Sequence, residues 1–223
     1  METKIMPSQT FFNLPEIKRQ KIANAAIAEF ANHSYESASI SAIVNRAKIA
    51  KGSFYQYYQN KQDLYLYLID RALEAKNAFI AQANLPSVET GFFVYLRKLF
   101  QTILEFQLAN PDWTQILFRG PHHGDVPFRK EVFKRTNADI TILIKQNIKE
   151  AIAQGQLRAD LNPDLAAFMI VTSIGELRYF IPFYLGLDVN RLVKDGPDLP
   201  LDAIEKILDD FIKILEQGIG SNQ

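Results

Sequence analysis

The chain has 223 residues, of which 48% are hydrophobic and 22% are charged, and it contains no cysteine. This composition excludes a disordered chain, a disulfide scaffold and a thiolate metal site. It allows one large domain or two smaller ones. The amino-terminal residues show no signal peptide, and no run approaches the roughly 20 apolar residues of a membrane helix. We therefore expect a cytoplasmic protein that does not enter a membrane.

The charge of the chain is unevenly distributed. The total is zero, but residues 1–63 carry 8 Lys+Arg against 5 Asp+Glu. The remaining residues carry 17 against 20. A mildly basic head on an acidic body is compatible with phosphate contact at one end of the molecule.

Hydrophobic spacing is helical throughout, and no segment alternates convincingly as a strand. The pattern predicts an all-α protein with about nine helices, preceded by an irregular arm at 1–12. Pro15 is placed to open the first helix, and Gly155 and Asn162 mark a helix end and a helix start. Loops are expected at 120–124 and 186–200. The predicted helices are 15–33, a short one ending near 47, 51–58, 61–82, 92–108, a short one from 111, 127–153, 163–184 and 200–217.

Residues 39–61 have the features of a helix-turn-helix, whose second helix reads DNA in the major groove. Small residues at the start of that helix allow a close approach, and basic and hydroxyl-bearing side chains can donate to bases or phosphates. Phe54 and Tyr58, four residues apart, are predicted to face the core. Gly52 and Ser53 are the predicted close-approach residues. Together with the predicted donors, the site consists of Lys51, Gly52, Ser53, Tyr55, Gln56, Tyr57 and Lys61. A generic three-helix cap with a solvated basic face is the alternative.

The segment from Ile22 to Leu64 resembles the tetracycline-repressor (TetR) family of transcriptional regulators. The resemblance is carried by Ile22, the Ala25-Ala26 pair, Phe30 and the run SISAIVNRAKIAKGSFYQYYQNKQDL. In the body it extends only to helix order and to GQLRADLNPDLA at 155–166. It implies a helix-turn-helix domain at 1–62 and a ligand-binding and dimerisation domain at 63–223.

The resemblance implies further contacts for particular residues. Ser39 and Ser41 match phosphate or base contacts at the start of the first DNA-binding helix, and Lys61 matches a phosphate-contacting lysine. The family usually has glycine where this chain has Ser34 and Lys48. A left-handed conformation at a non-glycine residue costs on the order of 1 kcal/mol, so we expect strain or an altered turn at these two positions. Lys48 adds a possible phosphate contact.

DNA readers of this type usually bind near-palindromes as dimers, because one short helix reads few bases. The apolar helices 163–184 and 200–217 are the predicted dimer helices, in a four-helix bundle; both can also be ordinary core helices. The expected function is a repressor that a small, partly apolar effector releases from its operator.

Aromatic residues are dense in the body, which suits either an effector pocket or plain core packing. Glu176 and Arg178 interrupt an apolar helix and can serve a ligand or the dimer. The candidate ligand residues are Phe92, Tyr95, Trp113, Phe118, Phe128, Glu176, Arg178, Tyr179 and Phe183.

Catalysis and metal binding are poorly supplied with residues. His122 and His123 are adjacent in a predicted loop without a matching ligand cluster, so neither a metal nor a cofactor is expected. No nucleophile arrangement and no glycine-rich phosphate loop indicates an enzyme. A helical enzyme, or an adaptor that does not bind DNA, remains the alternative class.

Overall fold

A computed structural model describes residues 7–122, 127–186 and 200–220; the side chains of 118–122 and 178 lie outside this description. Within these ranges the chain forms ten α-helices and one short 3-10 turn, and no strand. One isolated bridge joins Leu157 and Gly220. The all-α prediction is confirmed, and the number of helices is close to the predicted nine.

The amino-terminal part of the chain forms five helices. Helix α2 begins directly after Pro15, which stands at its N-cap rather than in its first turn. The bounds are α1, Gln9–Phe12; α2, Glu16–Asn32; α3, Ile40–Ala47; α4, Lys51–Tyr57; and α5, Lys61–Gln82.

The remaining helices follow a 3-10 turn at Val88–Thr90. Helix α9 starts as predicted: the Asn162 side chain accepts from the N–H groups of Asp164 and Leu165 at 3.0 and 3.1 Å. The bounds are α6, Phe92–Ala109; α7, Pro111–His122; α8, Arg129–Ala153; α9, Pro163–Leu185; and α10, Leu201–Ile219.

Two predicted irregular segments are partly helical. The arm was expected to lack structure, but α1 forms one turn because the buried Phe11 anchors it and its N–H donates to the Ser8 carbonyl at 2.9 Å. The predicted loop at 120–124 is wrong for 120–122, which continue α7. Pro121 lacks an N–H group and so removes only one hydrogen bond from α7. The buried Ile116 and Leu117 hold the preceding turn of the helix in place. Residue 123 and most of the predicted 186–200 loop lie outside the described residues.

By Cα packing the chain divides into two compact units. The first comprises Met1–Ala75 and Asp112–Thr136, and the second Lys76–Pro111 and Asn137–Gln223. The predicted boundary after residue 62 remains a prediction. The part of α5 up to Ala75, and α7 from Asp112 onward, thus belong to the same packing unit as the helix-turn-helix.

The first unit has an aromatic core around α2, α4 and α5. Phe30 and Tyr65 meet edge to face with ring centroids 4.9 Å apart. The Tyr65 hydroxyl donates to the carbonyl of Ile116 at 3.3 Å, which attaches α7 to this core. Tyr65 also contacts Phe128, at 5.9 Å between ring centroids.

The second unit is built on α6, α8, α9 and α10. Arg97 on α6 pairs with Asp209 on α10 at 2.5 Å. Gln156 accepts from the N–H of Phe92 at 2.6 Å and donates to the carbonyl of Val88 at 3.0 Å. Because these contacts satisfy one backbone group of the 3-10 turn and one at the first residue of α6, they fix where that helix begins.

None of the helices in the described ranges is by itself long and apolar enough to cross a membrane. Two segments of α9, Pro163–Leu177 and Tyr179–Leu185, are bent relative to each other. Taken together they match a membrane span by length and apolar composition alone.

Candidate nucleic-acid interface

The start of α3 is held by two capping interactions. The Ser39 hydroxyl accepts from the N–H of Ala42 at 3.4 Å, as expected for an N-cap serine. The backbone N–H of Ser39 donates to the Glu29 carboxylate at 2.9 Å. Glu29 is buried on α2, with 6% of its surface exposed. The carboxylate therefore fixes the position of α3 relative to α2.

Glu29 is a residue that sequence reasoning missed. It lies beside Phe30 in the buried stripe of α2, where a charged side chain needs a partner. A charged residue within a buried helical stripe is the sequence signal that could have identified Glu29. The partner, a backbone N–H ten residues further on, cannot be read from helical spacing.

The turn between α3 and α4 is left-handed at Lys48, with φ 53° and ψ 48°. Its N–H donates to the carbonyl of Asn45 at 3.2 Å, and the N–H of Ile49 donates to that of Val44 at 3.0 Å. Lys48 is the one non-glycine residue with positive φ in the described ranges. The strained backbone expected there is present.

Ser34, the second position expected to replace a glycine, has no positive φ. Its hydroxyl lies 2.8 Å from that of Ser37 and accepts the Ser37 N–H at 3.2 Å. The expected strain is therefore absent here, because a serine turn replaces the left-handed conformation.

Helix α4 presents one face to the core and one to solvent. Phe54 and Tyr58 are fully buried, as predicted. Tyr57 is also buried, with 4% of its surface exposed. Tyr57 was expected to point at phosphate, but its ring packs edge to face on Phe11, with centroids 6.0 Å apart. The solvent face consists of Lys51, Gly52, Tyr55 and Gln56, with Ser53 half-buried beside them.

Gly52 has free space around it. A methyl group built at its Cβ position meets no atom within 4 Å. Its backbone φ is not in the left-handed region. Neither packing nor backbone conformation within this chain therefore requires glycine at this position.

Two lysines border α4. The Lys51 ammonium lies 3.4 Å from the Ser41 hydroxyl and donates to it, which links α4 to the exposed start of α3. The Lys61 ammonium donates to the carbonyls of Glu36 and Ala38, both at 3.0 Å. It also lies 4.6 Å from the centroid of the Tyr35 ring. Lys61 thus connects the first turn of α5 to the loop before α3.

Burial shifts the ionisation of three groups near this surface. It lowers the pKa of Lys61, and the Glu36 carboxylate partly opposes that effect. It raises the pKa of Tyr35, with the Asp63 carboxylate adding to the shift. Burial also raises the pKa of Tyr58. The Tyr58 hydroxyl is the one buried side-chain oxygen or nitrogen in the described ranges without a hydrogen-bond partner.

The candidate ligand residues belong to both packing units. Trp113 and Phe128 pack on the core of the first unit, and Phe128 meets Tyr35 at 5.0 Å between centroids. Phe92 and Tyr95 are buried in the core of the second unit. On α9, Glu176 and Phe183 are exposed and Tyr179 is half-buried. The side chains of Phe118 and Arg178 lie outside the described residues.

No cluster of three potential metal ligands occurs in the part of the chain that the structure describes. His122 belongs to α7, and its side chain, like all of His123, is outside that part.

Helices α3 and α4, their tight turn and the polar face of α4 define a helix-turn-helix DNA-binding protein with a helical body. Comparison with known proteins gives the family. The family model described as "Bacterial regulatory proteins, tetR family" matches residues 22–68. The model described as "Tetracyclin repressor-like, C-terminal domain" matches residues 90–219. The chain therefore belongs to the TetR family of transcriptional regulators.

Individual relatives agree with this assignment. A TetR family transcriptional regulator from Chloroflexus aurantiacus J-10-FL is 37% identical, with a TM-score of 0.78 over 98% of this chain and 100% of that one. The transcriptional repressor SCO4008 of Streptomyces coelicolor is 36% identical over 49% of this chain and 53% of its own length. The uncharacterized regulator YhgD of Bacillus subtilis is 25% identical over 69% of this chain and 78% of its own length.

Proposed function

We propose that the protein is a dimeric repressor whose α4 helices read a near-palindromic operator and which a small-molecule effector releases. The observation that carries the DNA-reading part is the solvent face of α4. It combines Lys51, Tyr55 and Gln56 with a glycine that nothing within the chain requires. A helix that enters a groove needs both donors and a place where its backbone comes close.

Gly52→Ala tests this proposal, because folding and DNA binding should respond in opposite directions. The space around the Cβ position is open, and alanine favours a helix by about 0.5–1 kcal/mol over glycine. Stability should therefore stay equal or rise. Gel-shift affinity should fall, because the added methyl group separates the helix from the bases.

Gly218→Ala is the matched control. Gly218 is also helical and exposed with open space around it, but it lies near the end of α10. It should leave DNA affinity unchanged. Equal affinity of the Gly52→Ala variant and the parent protein would contradict the assignment of α4 as the reading helix. A helical enzyme or an adaptor predicts no salt-sensitive, sequence-specific shift with any duplex.

The proposed contacts divide into two kinds. Tyr55 and Gln56 are exposed in the second half of α4 and are proposed to reach base edges, with Gln56 setting sequence preference. Ser39, Ser41, Lys48, Lys51 and Ser53 are proposed to position the protein on phosphates. Lys61 contributes through its two carbonyl contacts and its charge, and Tyr57 contributes through packing.

The apolar stripe of α9 supports the proposed dimer. Residues at helical spacing on this helix are 48–83% exposed, and an apolar surface of this kind is characteristic of subunit interfaces. Glu176 lies on the same stripe, which favours an interface role over a ligand role. The exposed apolar residues are Leu165, Phe168, Met169, Phe180, Phe183 and Tyr184.

Helix α10 is proposed as the lesser partner in the interface. Its Ile204, Leu208 and Ile212 are buried within the chain, while Leu201 and Ile214 are exposed. Phe168→Glu should therefore dissociate the dimer in light-scattering measurements. Val94→Glu, at an equally exposed apolar site on α6, should leave it intact. A monomeric parent protein would contradict the dimer.

The effector is proposed to bind within the second unit. Tyr95 on α6 and Asn147 on α8 form a hydrogen bond although both are buried, and a few polar groups in apolar surroundings suit a small ligand. A ligand changes DNA affinity only if it binds the two states of the protein differently. A panel of small molecules, screened for release of DNA from the parent protein and from the Tyr95→Phe variant, tests the proposed effector site. Unchanged DNA affinity at saturating ligand would contradict it. As a DNA-binding regulator, the protein is proposed to act in the cytoplasm.

A further inference from the structure

The segment of residues 7–13, here called the amino-terminal clamp, contacts the end of α4. The backbone N–H of Ser8 donates to the carbonyl of Tyr57 at 2.9 Å. The Ser8 hydroxyl donates to the carbonyl of Gln56 at 2.6 Å. Gln56 and Tyr57 are the last two residues of α4. One serine thus satisfies two carbonyl groups at the end of this helix.

These two contacts matter because α4 is short. It has seven residues, and isolated helices below about 12–15 residues are marginal in water. The last four carbonyls of any helix lack partners inside it. The Ser8 hydroxyl makes no capping contact with its own helix, α1. Its hydrogen bond is therefore directed entirely at α4.

Phe11 anchors the clamp. Its side chain is fully buried. Its ring centroid lies 6.0 Å from that of Tyr57, 5.3 Å from Tyr58 and 5.5 Å from Tyr67. Tyr57 and Tyr58 are at the end of α4, and Tyr67 is on α5. The ring thus fixes the clamp on both helices at the point where Ser8 reaches the carbonyls.

We propose that the amino-terminal clamp holds the carboxyl-terminal turn of the reading helix, with Ser8 and Phe11 as positioning residues for DNA recognition. This rests on the proposed function, in which α4 reads DNA. The amino-terminal family model matches residues 22–68, and the clamp lies before them in the chain. The match therefore assigns the clamp no role. It sets the orientation of Tyr55 and Gln56, which lie in the turn it holds.

Two substitutions at Ser8, made in the full chain, remove one or both of the hydrogen bonds from the clamp to α4. Ser8→Ala removes the hydroxyl contact and keeps the N–H contact. Ser8→Pro removes both, and the φ of −66° at Ser8 already suits proline. Gln9→Ala is the control, because Gln9 is exposed and bonds only to Asn13 within the same segment.

Two measurements are made on each variant. Amide hydrogen exchange of residues 55–58 in the free protein reports whether the end of α4 is held. Affinity is measured for a duplex that the parent protein selects from a random-sequence library, over a series of salt concentrations. Ser8→Ala should bind about three- to tenfold more weakly, the factor that one net hydrogen bond represents. Ser8→Pro should bind more weakly still.

Amide hydrogen exchange of residues 55–58 is expected to become faster in the order Gln9→Ala, Ser8→Ala, Ser8→Pro. DNA affinity should fall in the same order, and its dependence on salt concentration should not change. The slope should hold because no phosphate contact is removed. Unchanged exchange in both Ser8 variants would overturn the clamp. Faster exchange with parental affinity would overturn its positioning role. If the parent selects no duplex, the proposed function fails and the positioning role with it, while the exchange data separately decide whether the clamp holds α4.

Discussion

The left-handed residue at the end of α3 allows its charge and its backbone to be tested separately. Lys48 is exposed, and its φ of 53° and ψ of 48° place it in a conformation that glycine adopts without strain. Lys48→Gly removes the charge and the strain. Lys48→Ala removes the charge alone. The two variants should therefore differ in stability but agree in DNA affinity.

The magnitude follows from the backbone. A left-handed conformation costs an L-residue about 1–2 kcal/mol, and glycine loses up to about 1 kcal/mol through the greater freedom of its unfolded chain. The free energy of unfolding of Lys48→Gly should thus exceed that of Lys48→Ala by about 0.5–1 kcal/mol. For a chain of this length that difference raises the melting temperature by about 1–4 °C.

Urea unfolding of both variants measures the difference in the free energy of unfolding. DNA affinity over a series of salt concentrations measures the phosphate contact. One lost phosphate contact makes the negative slope of log affinity against log salt shallower by about 0.9 in each variant. A Lys48→Gly protein no more stable than Lys48→Ala would refute the strain argument. An unchanged salt slope in both would refute the phosphate contact.

Four further predictions concern single groups. Lys61→Met should cost about 1–2 kcal/mol in urea unfolding, because two carbonyls lose a donor; a loss of DNA affinity with parental stability would assign the ammonium to phosphate alone. Tyr58→Phe should leave stability equal or raise it by about 1 kcal/mol, since it removes a buried hydroxyl without a partner; a clear loss would reveal an unrecognised contact. Glu29→Ala should cost about 2–3 kcal/mol by leaving the Ser39 N–H unsatisfied, and Glu29→Gln much less; equal costs would contradict the hydrogen bond. Lys76 is half-buried on α5, and this burial lowers its pKa from 10.5, so its unfolded state binds more protons and the free energy of unfolding should rise, relative to Lys76→Met, as pH increases towards that value; a difference independent of pH would argue against burial.

Most helix positions could be predicted because they depend on nearby residues. The buried spacing of Phe54 and Tyr58 and the helix start at Asn162 are local signals, and the structure contains both. The left-handed backbone at Lys48 was also expected, from the place where the family has glycine.

The contacts between distant segments could not be predicted in this way. The buried Tyr57 packs on Phe11, 46 residues earlier in the chain, and Phe11 is the buried residue of α1. Phe128 packs with Tyr35 because Asp112–Thr136 belongs to the first unit, although it follows Lys76–Pro111 of the second unit in the chain. Aromatic density indicates that a core exists, but not which of two cores receives each ring.

The position of Trp113 has a practical consequence for spectroscopy. It is the only tryptophan in the chain, and it packs on the core that also contains the helix-turn-helix. Its fluorescence therefore reports on that core and not directly on the core of the second unit. Far-ultraviolet circular dichroism reports on the helices of both. Comparing the two signals during urea unfolding would reveal whether the DNA-reading unit opens before the rest of the molecule.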